Sequence, residues 1–478
     1  MRSPRTGRPV FQVARGAFGH SGAMDSSTAP GMPTPDPQTG KRAYELDRKH
    51  VFHSWSVQGA LNPLVLAGGL GSYVWDYDGN HYLDLSCQLV YSNLGHANAE
   101  LIEAIERQAR TLCTVAPSYA NLARSEAAAA ITGLFPESHN KIFFTNGGAD
   151  ANENAIRMAR LFTGRDKVLS TYRSYHGNTG AAIVATGDPR RWPNEYARGH
   201  GHFFGPFLYR SPFWATTPEQ ESARALEHLE ELIVFEGPST IAAILLESVA
   251  GSAGVMPPPP GYLRGVRDLC DKYGIVYIAD EVMVGFGRVG RWFGFQLEPD
   301  VVPDLITVAK GVNSGYVPIG GVVISDEIAH YFDDKMFPGG LTYSGHPLAA
   351  ATATANIEYL KTHGVIEHAR TLGETQLGPA LVGLGQRHPS VGDVRGAGMF
   401  WGIELVRDRA TKEPMAPYTG ASPAMAEVAA AGRANGLLLL VFGNRIHVAP
   451  PLTLSEDEAR AAVEGLDQVL AVADSLIG

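Results

Sequence analysis

The sequence predicts an α/β fold: a large domain with a mainly parallel sheet covered by helices, followed by a smaller α+β domain. Three observations carry this. Between residues 140 and 325, short apolar runs alternate with helix-like stretches, the pattern of a parallel sheet buried on both faces. Two of those runs stop abruptly at ionisable groups, Val276-Tyr277-Ile278-Ala279-Asp280-Glu281 and Leu305-Ile306-Thr307-Val308-Ala309-Lys310-Gly311. That is how a buried strand delivers a polar side chain to its carboxyl end, where open α/β sheets keep their ligand crevice. After Gly345 the texture changes to long Ala-rich helical stretches and short strand pairs.

The elements follow in order. Residues 42–60 read as a helix leading into an irregular segment around Trp55, with order beginning near Lys41. Tyr73 to Asp84 alternates around an Asp78-Gly79-Asn80 turn, a hairpin signal. Helical spacing covers 99–112 and 121–135. Strands are expected near 141–145, 167–171, 181–185, 241–247, 275–279, 305–308 and 321–324, with helices at 149–161 and 261–273. The insert at 188–217 is rich in Pro, Arg and aromatics and reads as loop. Helices at 347–363 and 366–387 precede a strand pair over 394–406. A helix at 421–434, strands at 437–441 and 445–448 and a helix at 455–475 close the chain. The domain reading is an extension at 1–40, an N-terminal segment at 41–98 packing with the small domain, a large domain at 99–345 and a small domain at 346–478.

With 478 residues, 45% hydrophobic and 18% charged, the chain has the composition of a globular protein large enough for two or three domains. A net charge of −10, with no Lys/Arg stripe among aromatics, argues against a nucleic-acid surface. Apolar runs such as 437–442 are far short of the ~20 residues that span a bilayer. Three widely spaced cysteines (Cys87, Cys113, Cys270) offer no disulfide framework and no metal-ligand spacing, which points to a reducing, cytoplasmic setting. Residues 1–40 carry no acidic residue before Asp25, a weak transit-peptide composition without amphipathic pattern. The plainer reading is a disordered extension, or a true start at Met24 or Met32.

A lysine at the end of an apolar strand is desolvated, which lowers its pKa and leaves a neutral amine able to form a Schiff base. An aspartate at another strand end holds a proton on a pyridine nitrogen. Lys310 and Asp280 together therefore suit pyridoxal phosphate. Thr145-Asn146-Gly147-Gly148-Ala149-Asp150 gives its phosphate a home: a strand ends, two glycines bring backbone N–H groups close, and a helix begins at Ala149. Tyr175 and His176, in the Tyr172–Gly177 segment after the next strand, place an aromatic where it would stack on the ring. Glu247, ending the run Ile241–Leu246, points into the same crevice. Glu281 falls on the other face of its strand and reads as a structural salt-bridge partner. Each piece alone has a bland explanation in a solvated lysine, a helix cap, a structural turn or a packed aromatic. Their shared position at strand ends is the specific signal.

Ala279-Asp280-Glu281-Val282, Gly285-Phe286-Gly287-Arg288, Ala309-Lys310-Gly311 and Thr342-Tyr343-Ser344-Gly345-His346-Pro347 resemble the class III aminotransferases. These are fold-type-I pyridoxal-phosphate enzymes that include the ω-amino acid transaminases, and the resemblance runs from about residue 50 to 470. It implies that Lys310 holds the cofactor and shuttles protons, that Asp280 pairs with the pyridine nitrogen, and that Val282 and Tyr175 pack on opposite ring faces. It further implies that Gly147, Gly148 and the adjoining Ala149 bind the phosphate, with Thr342 reaching it from the neighbouring subunit of a homodimer with shared active sites, alone or within a tetramer. Trp55 falls where relatives place a substrate-pocket aromatic.

One position departs from the family. Many ω-transaminases carry a substrate-carboxylate arginine where this chain has Leu440. Arg445, five residues on, and Arg173, Arg191 and Arg210 are alternatives for the acid group. His53-Ser54-Trp55-Ser56 and the 146–151 segment resemble relatives acting on taurine or β-alanine-like donors, with pyruvate or 2-oxoglutarate as acceptor. The implied reaction moves an amino group from an ω-amino acid or primary amine to a 2-oxo acid. An aminomutase or decarboxylating transaminase, and a non-catalytic binding or regulatory member of the fold, remain as alternatives.

Overall fold

A computed structural model describes residues 35–195, 197–418 and 422–477; most of the expected N-terminal extension therefore lies outside the described residues. These divide into two units, 35–68 with 76–79, and 69–75 with 80–477.

In the first unit, helix Pro37–His50 starts before the expected Lys41 and gives way, as read, to an irregular segment around Trp55. Asp36 caps it by accepting from the Gln38 and Thr39 amides, and Pro37 preorganises its first turn. Residues 51–65 then hold turns and a short 3-10 segment, Gln58–Ala60.

The second unit is built on a seven-stranded sheet: β1 (Lys141–Thr145), β2 (Lys167–Thr171), β3 (His200–Phe203), β4 (Ile241–Glu247), β5 (Val276–Asp280), β6 (Leu305–Val308) and β7 (Gly320–Ile324). The order is β1-β7-β6-β5-β4-β2-β3. β7 runs antiparallel to β1 and β6, and the pairs from β6 across to β3 are parallel.

The pleat explains why the central strands read as unbroken apolar runs. Val276 and Ile278 join one core cluster with Ala151, Ala155 and Ile156 of helix Gly148–Thr163. Tyr277 and Ala279 join a second cluster on the opposite face. Both faces are covered, so every β5 residue is buried. Asp280 shares the face of Val276 and Ile278, which aims it at helix Gly148–Thr163. Register then sets Glu247 opposite Asp280, and Asp280 opposite Thr307.

Two expectations in this region are corrected. Residues 181–185 form a helix, Gly180–Ala185, and not a strand. Its first amides, Ala181 and Ala182, donate to the Glu153 carboxylate (2.7 and 3.2 Å) on another helix, a non-local cap that a local apolar pattern does not reveal. The loop insert contains the missing strand, β3. His-Gly-His-Phe has no β-branched residue and sits at the sheet edge, paired only with β2. Helix Pro218–Glu236, capped by Thr217, also went unread in the sequence.

The predicted hairpin forms between Tyr73–Asp76 and His81–Asp84. Farther along, Val365–Leu372, a π turn at Gly373–Leu377 and Gly378–Arg387 occupy the predicted 366–387 helix. A second sheet of β8 (Val391–Ala397), β9 (Phe400–Asp408), β10 (Leu440–Phe442) and β11 (Arg445–Val448) has the order β8-β9-β11-β10 and is antiparallel throughout. The closing helix Glu456–Ser475 starts at a Ser455/Glu458 capping box. Among the described residues no helix is long and apolar enough to cross a membrane.

Candidate active site

The strand ends bring Lys310, Asp280, Glu247, His176 and Tyr175 into one neighbourhood. Ala309 is extended, and Lys310 opens the 3-10 turn Lys310–Val312 with φ of +46°. A non-glycine residue in this left-handed region costs on the order of 1–3 kcal/mol and persists only where its surroundings enforce it. Asn356 holds the turn, its Nδ2 donating to Gly311 O (3.0 Å) and Val312 O (3.1 Å), and Asn93 packs so closely that a Cβ on Gly311 would lie 2.5 Å from its Nδ2. Asn93 is in turn held by Arg288, which is fully buried and donates to Asn93 Oδ1 (2.8 Å), Met399 O (3.1 Å) and Pro450 O. The Gly-Phe-Gly-Arg motif thus acts as scaffold for the lysine turn.

The Lys310 amine makes no hydrogen bond to any described residue. Burial pulls its pKa down to about 8, against the opposing pull of Asp280 and Glu247, while Arg190 lowers it further. A substantial neutral fraction near pH 8 is the state a nucleophilic amine needs.

Asp280 is buried and rigidly held. Its Oδ2 accepts from His176 Nδ1 and from Asn152 Nδ2, both at 2.7 Å, and its Oδ1 accepts from the Val282 amide at 3.0 Å. Asn152 also donates to His176 O and accepts from Thr307 Oγ1, so one amide side chain ties a helix, a loop and β6 to the carboxylate. The sequence reading missed Asn152. It lies one helical turn past Gly148, and only the topology shows that this turn faces Asp280.

Both Glu247 carboxylate oxygens are taken up by backbone amides. Its Oε1 accepts from the Tyr175 amide (2.9 Å) and its Oε2 from the Gly251 amide (2.8 Å), bracing two loops. Burial raises its pKa. Glu281 turns to the opposite face, as expected, but forms no ion pair. It accepts from Ser248 Oγ and from the Gly294 and Phe295 amides, and burial pushes its pKa to about 7. Three donors replace the expected salt bridge because that side of β5 is packed with aromatics, Phe286, Phe293 and Phe295.

The Gly147–Gly148 turn has the predicted strand-turn-helix form. Helix Gly148–Thr163 starts at Gly147 without a side-chain cap, leaving its first-turn amides available to an anion. A Cβ on Gly148 would fall 2.6 Å from Val282 Cγ1, so glycine is required there, and Val282 lies directly beside the turn. Ala149 is the next residue of that first turn.

Tyr175 is half-buried, with the Arg190 guanidinium 3.7 Å from its ring centroid. The sequence reading did not single out Arg190. Thr342 is exposed, in a loop tied to the end of β1 by Ser344 Oγ donating to Phe144 O (2.7 Å). Trp55 belongs to the first unit, exposed and with φ of +52°. Leu440 is half-buried on β10, and Arg445 is buried on β11. Arg191 pairs with Glu195.

A carboxylate fixed by two side-chain donors, an uncapped helix N-terminus that admits only glycine beside Val282, and a free desolvated amine match the pyridine, phosphate and aldehyde ends of one cofactor. The match extends to whole sequences. The class-III aminotransferase family model covers residues 56–470. The chain belongs to the class III aminotransferases. It is 33% identical to the taurine–pyruvate aminotransferase of Bilophila wadsworthia, over 91% of this chain and 98% of that one. It is 35% identical to the putrescine–pyruvate aminotransferase of Pseudomonas aeruginosa, over 86% and 92%. Its fold matches the taurine:2-oxoglutarate aminotransferase of Bifidobacterium kashiwanohense, solved with pyridoxal phosphate and glutamate, at a TM-score of 0.88 and 42% identity over 91% and 98% of the chains. An (S)-enantioselective ω-transaminase from Thermomicrobium roseum matches at 0.85 and 38% identity, over 91% and 98%. This class III aminotransferase is therefore a pyridoxal-phosphate-dependent enzyme of fold type I.

Proposed function

We propose that the enzyme moves an amino group from an ω-amino acid or primary amine to a 2-oxo acid, with Lys310 as the catalytic residue. The carrying observation is the Lys310 amine: desolvated, without a hydrogen bond among the described residues, on left-handed backbone, and under the electrostatic pull of Asp280 and Glu247. Bound pyridoxal phosphate supplies an aldehyde and an electron-accepting ring. Lys310 would hold the cofactor through its amine and, when displaced by the donor amine, would carry a proton to and from the donor carbon. Asp280, oriented by His176 and Asn152, would hold a proton on the ring nitrogen. The Gly147, Gly148 and Ala149 amides would hold the phosphate, with Val282 and Tyr175, the latter under Arg190, packing against the ring. Glu247 and His176 hold these groups in place.

The reading includes a homodimer in which Thr342 of each subunit reaches the neighbour's phosphate, and a cytoplasmic protein. Exposure of Thr342 beside the end of β1 is compatible with that reach.

The test is a donor panel (taurine, β-alanine, putrescine, propylamine) against pyruvate and 2-oxoglutarate, following alanine or glutamate. Stoichiometric amino-acid product from at least one pair is expected. Donor consumption without that product would replace transamination with an aminomutase or decarboxylating reaction.

A further inference from the structure

Four arginines crowd around one buried carboxylate beyond the loop that follows β4. Glu404 on β9 accepts from Arg210 Nε (2.7 Å) and pairs with Arg395 Nη1 (3.0 Å), which also bonds Asp393 (2.7 Å). Burial works to raise the Glu404 carboxyl, yet these arginines hold its pKa below the ordinary value. Glu404 and Asp393 are thereby committed to Arg210 and Arg395.

Arg445 and Arg173 are left over. Arg445 stands opposite Glu404 in the β9–β11 register and is 8% exposed, yet its guanidinium makes no hydrogen bond or ion pair with any described residue. Its Nε is buried without a partner, as are Arg395 Nη2 and Arg210 Nη2. Among the described residues the Arg173 side chain has only ring contacts, to Phe207 (5.1 Å) and Tyr418 (5.3 Å), and the residue sits on left-handed backbone with φ of +64°. Arg395 stacks on the same Phe207 (4.8 Å), which puts the leftover cations beside the committed ones. Gly254 permits this crowding: its Cβ would meet Arg445 Cδ at 2.4 Å and Arg395 Nη2 at 2.7 Å.

Buried cations with unused donors are costly unless an anion completes them. Room exists, because Arg173 and Arg210 line a cavity of about 110 Å³ with Phe207 and Glu247. Glu247 links this lining to the lysine site, since its carboxylate also accepts from the Tyr175 amide. Arg190, over the Tyr175 ring, is likewise within electrostatic reach of both Lys310 and Tyr418.

We infer that Arg445 and Arg173 form the binding site for a substrate acid group, a carboxylate or sulfonate borne at a distance from the reacting carbon. This rests on the aminotransferase reading and narrows it to acid-bearing substrates. Guanidinium donors suit planar oxyanions, and the site replaces by position the arginine that Leu440 lacks.

Two measurements on the pyridoxal-phosphate-loaded enzyme test it. In single-turnover half-reactions, Arg445→Met should lower the ratio of kcat/KM for β-alanine over that for propylamine by about 10- to 100-fold, the value of a charge-assisted hydrogen bond, with Arg445→Lys recovering part of the loss. Calorimetric titration with glutarate, an unreactive dicarboxylate, should show binding weakened at least about 10-fold in Arg445→Met and in Arg173→Met. Thermal stability should not fall in Arg445→Met, because an unpaired buried charge is removed. An unchanged selectivity ratio together with unchanged glutarate affinity would overturn the acid site. Lost glutarate binding in an enzyme that turns over neither donor would keep the acid site and overturn the transaminase reading.

Discussion

Lys310→Ala is expected to cut turnover by roughly 10²–10⁴-fold or more, the scale of a positioned proton carrier, and further to the extent that covalent capture is lost. The variant keeps the uncapped Gly147–Gly148 turn, Val282 and Asp280, so it should still bind pyridoxal phosphate noncovalently. The substitution also relieves a buried amine on strained backbone, so folding should not suffer; thermal denaturation checks this beside the rate assay. In the wild-type apoenzyme, cofactor capture should accelerate as pH rises through about 8, because only the neutral Lys310 amine attacks. Near-normal turnover in Lys310→Ala would remove the residue from its role.

Asp280 gives the second large effect, and two substitutions separate charge from structure. Asp280→Asn retains the shape and one acceptor oxygen but loses the negative charge that would hold the ring proton. Turnover should fall by about 10²-fold or more with a modest change in melting temperature. Asp280→Ala leaves the His176 Nδ1 and Asn152 Nδ2 donors, each now 2.7 Å from Oδ2, buried and unanswered. Each unsatisfied donor costs about 1–3 kcal/mol. The alanine variant should therefore lose stability as well as activity, measured by denaturant unfolding beside steady-state rates. Equal stability losses in the two variants would show that the contacts drawn here do not govern the site.

Much of this site was legible because strands announce their ends. Val276–Asp280 and Leu305–Val308 are buried on both faces, so a continuous apolar run followed by a charge marks the crevice directly. The Gly147–Gly148 turn was legible because two glycines separate a strand from a helix, and at Gly148 the close approach of Val282 leaves no space for a Cβ. What stayed hidden depends on partners distant in sequence. Gly180–Ala185 is helical because Glu153, on another helix, caps it. His200–Phe203 is a strand because β2 offers an edge. Asn152 matters because helix Gly148–Thr163 lies on the Asp280 face of the sheet. Glu281 looked like an ion-pair partner, yet Ser248 and two amides satisfy it, a substitution visible only in three dimensions. The arginines around Glu404 come from four separate segments, and no local pattern connects them.

The central claim is that Lys310 holds the cofactor, and borohydride reduction of the yellow holoenzyme followed by peptide mapping tests it most directly. Reduction should abolish the cofactor absorbance and fix one phosphopyridoxyl group per chain on the peptide containing Lys310. A colourless protein indifferent to added pyridoxal phosphate, or a label fixed on any other lysine, would contradict it.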